Sequence, residues 1–316
     1  MALTGRIPRE FGNLSFLVSL DLGSNNFHEN LPQEMTRLCR LKFLDLSFNS
    51  FSGKVPSWFG FVHQLQVLSH RNNSFTGSIP SSFSNISTLE TLNLNFNSIE
   101  GQIPKVIGIL INLRELKLRG NKLIGSIPLS LSNASRLETL EISLNSLQGN
   151  IPEGIGNLHN MKMLSIQYNQ LTSSIPFTIF NISRIEIIAF IGNSLSGYLP
   201  NDLCNGLPKL KGLYLSTNRL RGYMPTSLSN CSQLQVLSLS ENDFGGPIQS
   251  EIGRLSNLQI LQLGTNHFTD LEISFNPLNG MLPASMRNLS TSLRKFYASN
   301  CIIQGRIPNE VGNLSS

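Results

Sequence analysis

Charge is scarce in this chain of 316 residues: Asp, Glu, Lys and Arg make up 14%, against about 25% in a typical soluble domain. The formal net charge of +5 comes without any block of Lys or Arg, so the electrostatic footprint of a nucleic-acid binder is missing and no nucleic-acid partner is expected. Four Cys are too few for a disulfide framework at this length. There is no CxxC and no Cys/His cluster, so no metal is expected, and nothing calls for a cofactor. The five His are scattered, and HExxH, GxSxG and P-loop patterns do not occur, so the chain is not read as an enzyme. No apolar run approaches the ~18–20 residues that span a bilayer. Disorder is excluded from the other side, by a hydrophobic content of 40%. What the chain does have is Leu, Asn, Gly and Pro in abundance, a composition that points to repetition.

The element Gly-x-Ile-Pro, with Val, Leu or Met replacing Ile in places, recurs with its prolines at Pro8, Pro32, Pro56, Pro80, Pro104, Pro128, Pro152, Pro176 and Pro200, every step being 24. Pro225 follows at 25, Gln249 holds the next proline's place, and an interval of 34 leads to Pro283 before a last step of 25 to Pro308. A period of 24 lies in the range of leucine-rich repeats. Residues 113–128, LRELKLRGNKLIGSIP, match LxxLxLxxNxLxGxIP throughout. The alternation in LxxLxL predicts a short strand with one buried face, Leu116 and Leu118 inward and Glu115, Lys117 and Arg119 outward. Gly125 then allows a positive φ, and Pro128 ends the ladder and starts the return.

A second series closes each strand: Asn25, Asn49, Asn73, Asn97, Asn121, Asn145, Asn169, Asn193, Asn218, Asn242, Asn266 and Asn276, with Cys301 in this slot in the last complete unit. A buried amide left unpaired is costly, so these side chains are expected to bond the backbone of neighbouring turns as a continuous ladder. One turn buries about six Leu-class side chains and cannot offset its own ordering entropy, whereas stacked turns share a core. The expected architecture is an α/β solenoid: about 12–13 repeats of 24 residues with a parallel β-sheet on one side and an irregular or 3-10 return on the other.

The consensus LxxLxLxxNxLxGxIPxxL resembles the plant extracellular leucine-rich repeat of receptor-like kinases and receptor-like proteins, and the resemblance runs from LTGRIPREFGNL to QGRIPNEVGNL. Two stretches, DLCNGLPKLKGLYLSTNRLRG and NPLNGMLPASMRNLSTSLRKFYASNC, resemble the immune-receptor kinases that include the flagellin and rice bacterial-blight receptors. The resemblance implies a right-handed superhelix whose concave sheet binds a peptide, protein or microbial ligand outside the cell in defence signalling, with a co-receptor kinase as a further partner. It implies the extracellular face of the plasma membrane, reached through a transmembrane helix that this chain does not contain. A secreted inhibitor of the polygalacturonase-inhibitor type is the alternative. Met1 falls inside a repeat with no signal core after it, the chain stops at GNLSS, and neither HRD nor DFG occurs, so the expectation is an ectodomain fragment.

One turn breaks the pattern. Asn266 and Asn276 lie 10 residues apart, too few to leave one strand and enter the next. A regular block over 1–268, an irregular shortened repeat over 269–282 with a kink near 269–270 and a strand at 271–273, and terminal repeats over 283–316 are expected.

Eight Asn-x-Ser sequons occur, at Asn13, Asn72, Asn85, Asn133, Asn181, Asn230, Asn288 and Asn313; seven sit five residues after a repeat proline, and Asn72 is out of phase. Two explanations stand: a stripe of N-glycans along one flank, or duplication of an Asn-Leu-Ser turn. Cys204 and Cys231 lie 27 apart, about one turn, where a bridge between adjacent repeats and buried free thiols are both open. Cys39 and Cys301 are read as small core fillers, His70 in a strand-Leu slot as a satisfied, partly buried side chain, and Trp58 as packing on the return.

Ligand-binding candidates are the outward strand positions, where exposed aromatics near charge resemble interface hot spots. They are Phe43, Asp45, Phe48, Phe96, Glu115, Lys117, Arg119, Met163, Gln167, Tyr168, Ile191, Tyr214 and Tyr297, beside Asp21, Arg71, Glu141 and Ile187. Two clusters are expected, Tyr168 with Ile191 and Tyr214, and Phe43 with Phe48.

Overall fold

The computed structural model describes residues 2–246, 252 and 254–268, together with the backbone of 295 and 296. The chain forms two compact units, Met1–Gly154 and Ile155–Ser316. In the first, the strands Ser19–Asp21, Phe43–Asp45, Val67–Ser69, Thr91–Asn93, Glu115–Lys117 and Thr139–Glu141 run parallel, each pairing with the next. The register places Leu20, Leu44, Leu68, Leu92, Leu116 and Leu140 side by side, so the sequence period and the strand register are the same quantity. In the second unit Met163–Ser165, Ile187–Ala189, Gly212–Tyr214, Val236–Ser238 and Ile260–Gln262 repeat the arrangement. The extra residue before Pro225 is absorbed outside the sheet, since Ile188 still pairs with Leu213.

Ile260 and Leu261 then pair with Lys295 and Phe296, a register step of 35 where the preceding one is 24. The kink expected near 269–270, the strand at 271–273, Asn276, and the boundaries of the 269–282 and 283–316 segments lie outside the described residues, as do the side chains of 295 and 296.

Side chains alternate as the LxxLxL pattern requires. Leu113, Leu116 and Leu118 are fully buried, and so are their equivalents Leu210, Leu213 and Leu215 in the second unit. The Leu of LxGxIP builds a second inner row; in the first unit it holds Phe27, Phe51 and Phe75, whose rings stack at 6.0 and 6.3 Å. Among the described residues the GxIP proline typically opens a short 3-10 turn: Arg9–Asn13 after Pro8, Leu129–Asn133 after Pro128, Thr226–Asn230 after Pro225; after Pro200 the turn begins later, at Leu203. Proline suits that place because its fixed φ starts the turn, while its carbonyl accepts the first turn bond, as Pro128 does from the Leu131 N–H at 3.0 Å.

The asparagine ladder supplies the hydrogen bonds that short strands cannot. Asn121 Oδ1 accepts from the Ile99 N–H at 3.1 Å, and its Nδ2 donates to the carbonyls of Leu94 and Leu118, each at 3.0 Å. Asn49, Asn73, Asn97, Asn193, Asn218, Asn242 and Asn266 repeat this pattern. Only an amide presents an acceptor and two donors in one plane, which is why Ser or Asp does not replace it.

Candidate functional site

The outward strand positions form columns with one residue from each turn. The last column, directly before the ladder Asn, has a property that the sequence reading missed: every described residue in it is left-handed. In the first unit these are Ser24, Phe48, Asn72, Phe96, Gly120 and Leu144, with φ between 52° and 68°. In the second they are Tyr168, Gly192, Thr217, Glu241 and Thr265, between 51° and 68°. A non-glycine residue accepts this conformation only where its surroundings enforce it. Here the next residue's amide is tied to three backbone groups. The rings of this column lean onto the following turn: a Cβ on Gly120 would lie 2.6 Å from Phe96 Cδ1, and one on Gly192 2.6 Å from Tyr168 Cδ1. At these two places the ring occupies the space a side chain would need, and glycine follows it; after Phe48 the column holds Asn72.

In the first unit that column interleaves with the one beside it. The Arg71 guanidinium lies 5.1 Å from the Phe48 ring and 6.0 Å from the Phe96 ring; Arg119 sits 5.5 Å over Phe96 from the other side. Phe48 and Phe96 remain 46% and 37% exposed. The two arginines then differ. Arg119 Nη1 reaches Glu141 Oε1 at 3.3 Å, and Glu141 also accepts from Asn95 Nδ2 at 2.9 Å, so that cation is neutralised in place. Arg71 has no ion pair among the described residues; the Nε of each arginine is buried without a hydrogen-bond partner. Arg71 is a cation held between two aromatic faces, with its outer N–H groups available to an anion.

A shallow depression of about 300 Å³ adjoins it, lined by Asp21, Asp45, Ser47, Phe48, Ser69, Arg71 and Asn93 among others. Asp21 and Asp45 are directly opposite on neighbouring strands, a like-charge pair that destabilises a sheet in isolation. Each turns one oxygen inward, Asp21 to the Gly23 N–H and Asp45 to the Ser47 N–H, both at 2.8 Å. The face therefore presents carboxylates at one end and an unneutralised guanidinium at the other.

The remaining candidates fall elsewhere. Glu115 and Lys117 pair with each other at 2.8 Å. Phe43 is half-buried at the start of its strand, and Phe48 lies past its end, so the two form no cluster; Phe48 belongs with Arg71 and Phe96. In the second unit Met163, Gln167, Ile187 and Ile191 are half-buried and Tyr168 is 53% exposed. Tyr214 pairs with Ala189, not Ile191, while Tyr168 N–H bonds the Ile191 carbonyl. The three expected partners thus occupy three different columns, because Ile191 sits one position earlier in its turn than Tyr168, and Tyr214 two positions earlier than Ile191. Burial raises the pKa of the Tyr214 hydroxyl. Tyr297 lies outside the described residues.

His70 corrects the sequence reading. It is fully buried, neither ring nitrogen has a hydrogen-bond partner among the described residues, and its ring packs 5.1 Å from Phe59 and 4.8 Å from Phe75. Burial lowers its pKa to about 3, so it serves as a neutral aromatic filler. Cys39 is exposed and free, not a core filler, whereas Cys204 and Cys231 are buried and joined by a disulfide across adjacent turns. Cys301 lies outside the described residues. Trp58 is half-buried against Phe59 at 4.3 Å, on the wall of a depression of about 670 Å³ that includes Lys54, Ser57 and Ser82. Asn13, Asn85, Asn133, Asn181 and Asn230 are all exposed at the last position of a 3-10 turn. Asn72 is on the strand face with a buried Oδ1, and Asn288 and Asn313 lie outside the described residues. Among the described residues no His, Cys, Asp and Glu are grouped to hold a metal, and no helix is long and apolar enough to cross a membrane.

Stacked parallel strands, an asparagine ladder and 3-10 returns at this period define a recognition solenoid. Models of the leucine-rich repeat match residues 190–244 and, repeat by repeat, 40–62, 88–110, 112–134, 136–158 and 292–314, together more than half of the sequence. The chain belongs to the leucine-rich-repeat family.

Several of its likenesses are to plant receptors. A 46-residue segment, 15% of this chain and 4% of the relative, is 46% identical to the LRR receptor-like serine/threonine-protein kinase EFR of Arabidopsis thaliana. Among solved structures, the plant peptide hormone receptor RGFR1 in complex with RGF2 superimposes with a TM-score of 0.86 at 32% identity, over 92% of this chain and 49% of that one. The PEPR1–AtPEP1 complex gives 0.80 at 27% identity, over 100% and 50%. The Arabidopsis receptor kinase HAESA, in complex with the peptide hormone IDA and the co-receptor SERK1, gives 0.71 at 28%, over 99% and 63%. The chain thus spans about half the length of the first two solved receptors and a small part of the curated relative.

Proposed function

We propose that this chain is the extracellular ligand-recognition segment of a plant cell-surface receptor kinase acting in defence, and that it binds a peptide or protein ligand across the strand face of its first unit. The observation that carries this reading is Arg71, an unpaired guanidinium between two exposed phenylalanines. A scaffold has no use for such a group, whereas a ligand carboxylate flanked by an apolar side chain satisfies both the charge and the rings. The likeness to peptide-bound receptor ectodomains supports the same direction, and a co-receptor kinase is the second partner. Membrane attachment would come through a segment outside this chain. The regular block 1–268 would carry the ligand, with the shortened repeat at 269–282 and the repeats at 283–316 beyond it. N-glycans on Asn13, Asn85, Asn133, Asn181 and Asn230 would coat the flank of the 3-10 turns and leave the strand face bare.

The chain, produced by secretion and titrated calorimetrically against a panel of plant and microbial peptides, tests the assignment. Binding of a carboxylate-bearing peptide should weaken about tenfold or more on Arg71→Ala or Phe96→Ala. A peptide that binds both variants at wild-type affinity removes the strand face of the first unit as the site.

A further inference from the structure

A second set of exposed aromatic and basic residues lies on the opposite edge of the ladder, in the second unit, in the x position of Gly-x-Ile-Pro. Along the chain this position holds Asn30, Lys54, Ser78, Gln102, Ser126 and Ser174, and each of these leans onto the glycine one turn later. The scaffold is thus served by any small or flexible polar side chain. In two consecutive turns it holds tyrosine instead. A Cβ on Gly222 would meet the Tyr198 ring at 2.4 Å and one on Gly246 would meet the Tyr223 ring at 2.3 Å, so both rings rest against glycine backbone. Yet they are 56% and 69% exposed. They are braced from below and open above, one turn apart. The Arg221 guanidinium lies 5.1 Å from the Tyr198 ring centre, and Arg219 is exposed on the same strand, Arg219–Gly222. Neither arginine has an ion pair among the described residues; Asp243, beside Arg221 in the register, turns to His267 at 3.7 Å.

We propose that this edge binds a linear acidic polysaccharide of the uronate type. Two rigid phenol faces repeating at the strand spacing of about 4.8 Å offer successive stacking surfaces to a chain of similarly repeating sugar rings, with little ordering entropy to lose. The two guanidinium groups beside them supply the planar donors that a carboxylate on each ring accepts. A neutral glycan would leave the arginines unanswered, and an acidic peptide has no repeating flat face for the tyrosines.

The test uses the whole chain, immobilised, against a defined oligogalacturonate, a neutral cello-oligosaccharide of equal length and a poly-glutamate peptide. The oligogalacturonate should bind saturably. It should weaken about tenfold or more both in Tyr198→Ala/Tyr223→Ala and in Arg219→Gln/Arg221→Gln, and hold in Tyr198→Phe/Tyr223→Phe and in Arg71→Ala. The rings are exposed, so the alanine pair should keep the wild-type unfolding midpoint, which separates lost binding from lost folding. No saturable binding overturns the proposal. So does binding that salt abolishes and the tyrosine pair does not change, which is charge attraction alone. Equal or tighter binding of poly-glutamate with the same residue dependence overturns it in favour of an acidic protein segment.

Discussion

The strand faces of the two units share one backbone and differ almost completely in chemistry. In the first, the outward columns carry Asp21, Asp45, Arg71, Glu115, Lys117, Arg119 and Glu141, interleaved with Phe48 and Phe96. In the second, the corresponding described positions hold Met163, Ile187, Val236 and Ile260 in one column and Ser165, Ala189, Tyr214, Ser238 and Gln262 in the next, with Glu241 the one charge among the described outward positions. The exposed cations of the second unit that matter, Arg219 and Arg221, are displaced to its edge. Identical ladders and unlike faces show that the repeat fixes where side chains point and leaves their chemistry to each turn, so a binding function belongs to a group of turns and not to the fold.

This comparison can be broken at its common part first. Asn121→Ala and Asn242→Ala each strand one backbone N–H and take one of two ladder bonds from each of two carbonyls, and each should cost about 3 kcal/mol in urea unfolding. Unequal losses would mean that the ladders are not equivalent. Next in size, Cys204→Ser/Cys231→Ser removes a cross-link that only the second unit has. It should lower stability by about 3 kcal/mol while hydrogen exchange in the Phe48–Arg71–Phe96 turns stays unchanged.

His70 sets the first unit apart in its response to acid. Its pKa falls from 6.5 to about 3 on folding, so the unfolded chain takes up the proton first. Wild-type stability from this group is therefore complete above about pH 6.5 and declines by about 1.4 kcal/mol per pH unit as pH falls toward about 3. His70→Leu should abolish that slope and, by removing two unpaired ring nitrogens, should raise stability at neutral pH by about 1 kcal/mol. A variant that keeps the wild-type acid slope would assign it to other groups. The last test concerns two matched positions: Gly120→Ala and Gly192→Ala each force a methyl group against a ring in a left-handed residue, at about 1 kcal/mol. Only Gly120→Ala should also disturb binding at Arg71, through Phe96.

Much of the fold was legible because the period dictates it. The spacing of 24 is the strand register, the Asn series is the ladder, and the GxIP prolines open the 3-10 turns. The site was legible only in part. Phe48, Phe96 and Arg119 were found as outward residues, but grouping them by proximity along one strand joined Phe48 to Phe43. Aligning turns by column places Phe48, Phe96 and Tyr168 together, Arg71 and Arg119 beside them, and Gly120 and Gly192 one turn after a ring. That alignment was in the sequence; the left-handed backbone that tips the rings was not. His70 was misjudged because a Leu slot enforces burial whatever its occupant, and Cys39 because its place after a 3-10 turn faces solvent. Tyr198 and Tyr223 were passed over because the x of GxIP looks free, and only the bracing glycine one turn later gives their exposure a meaning.

The ladder amide also governs how such a chain can change length. The Asn121 side chain joins its own turn to the one before it, through Leu94, Ile99 and Leu118. Each joint is complete within two turns. Within the regular turns, whole repeats can therefore be gained or lost without retuning the remainder, whereas the step of 35 from Ile260 to Lys295 falls outside that count. Along those turns length is counted in whole steps, like the teeth of a rack, and every binding surface on them is a choice of which teeth to dress.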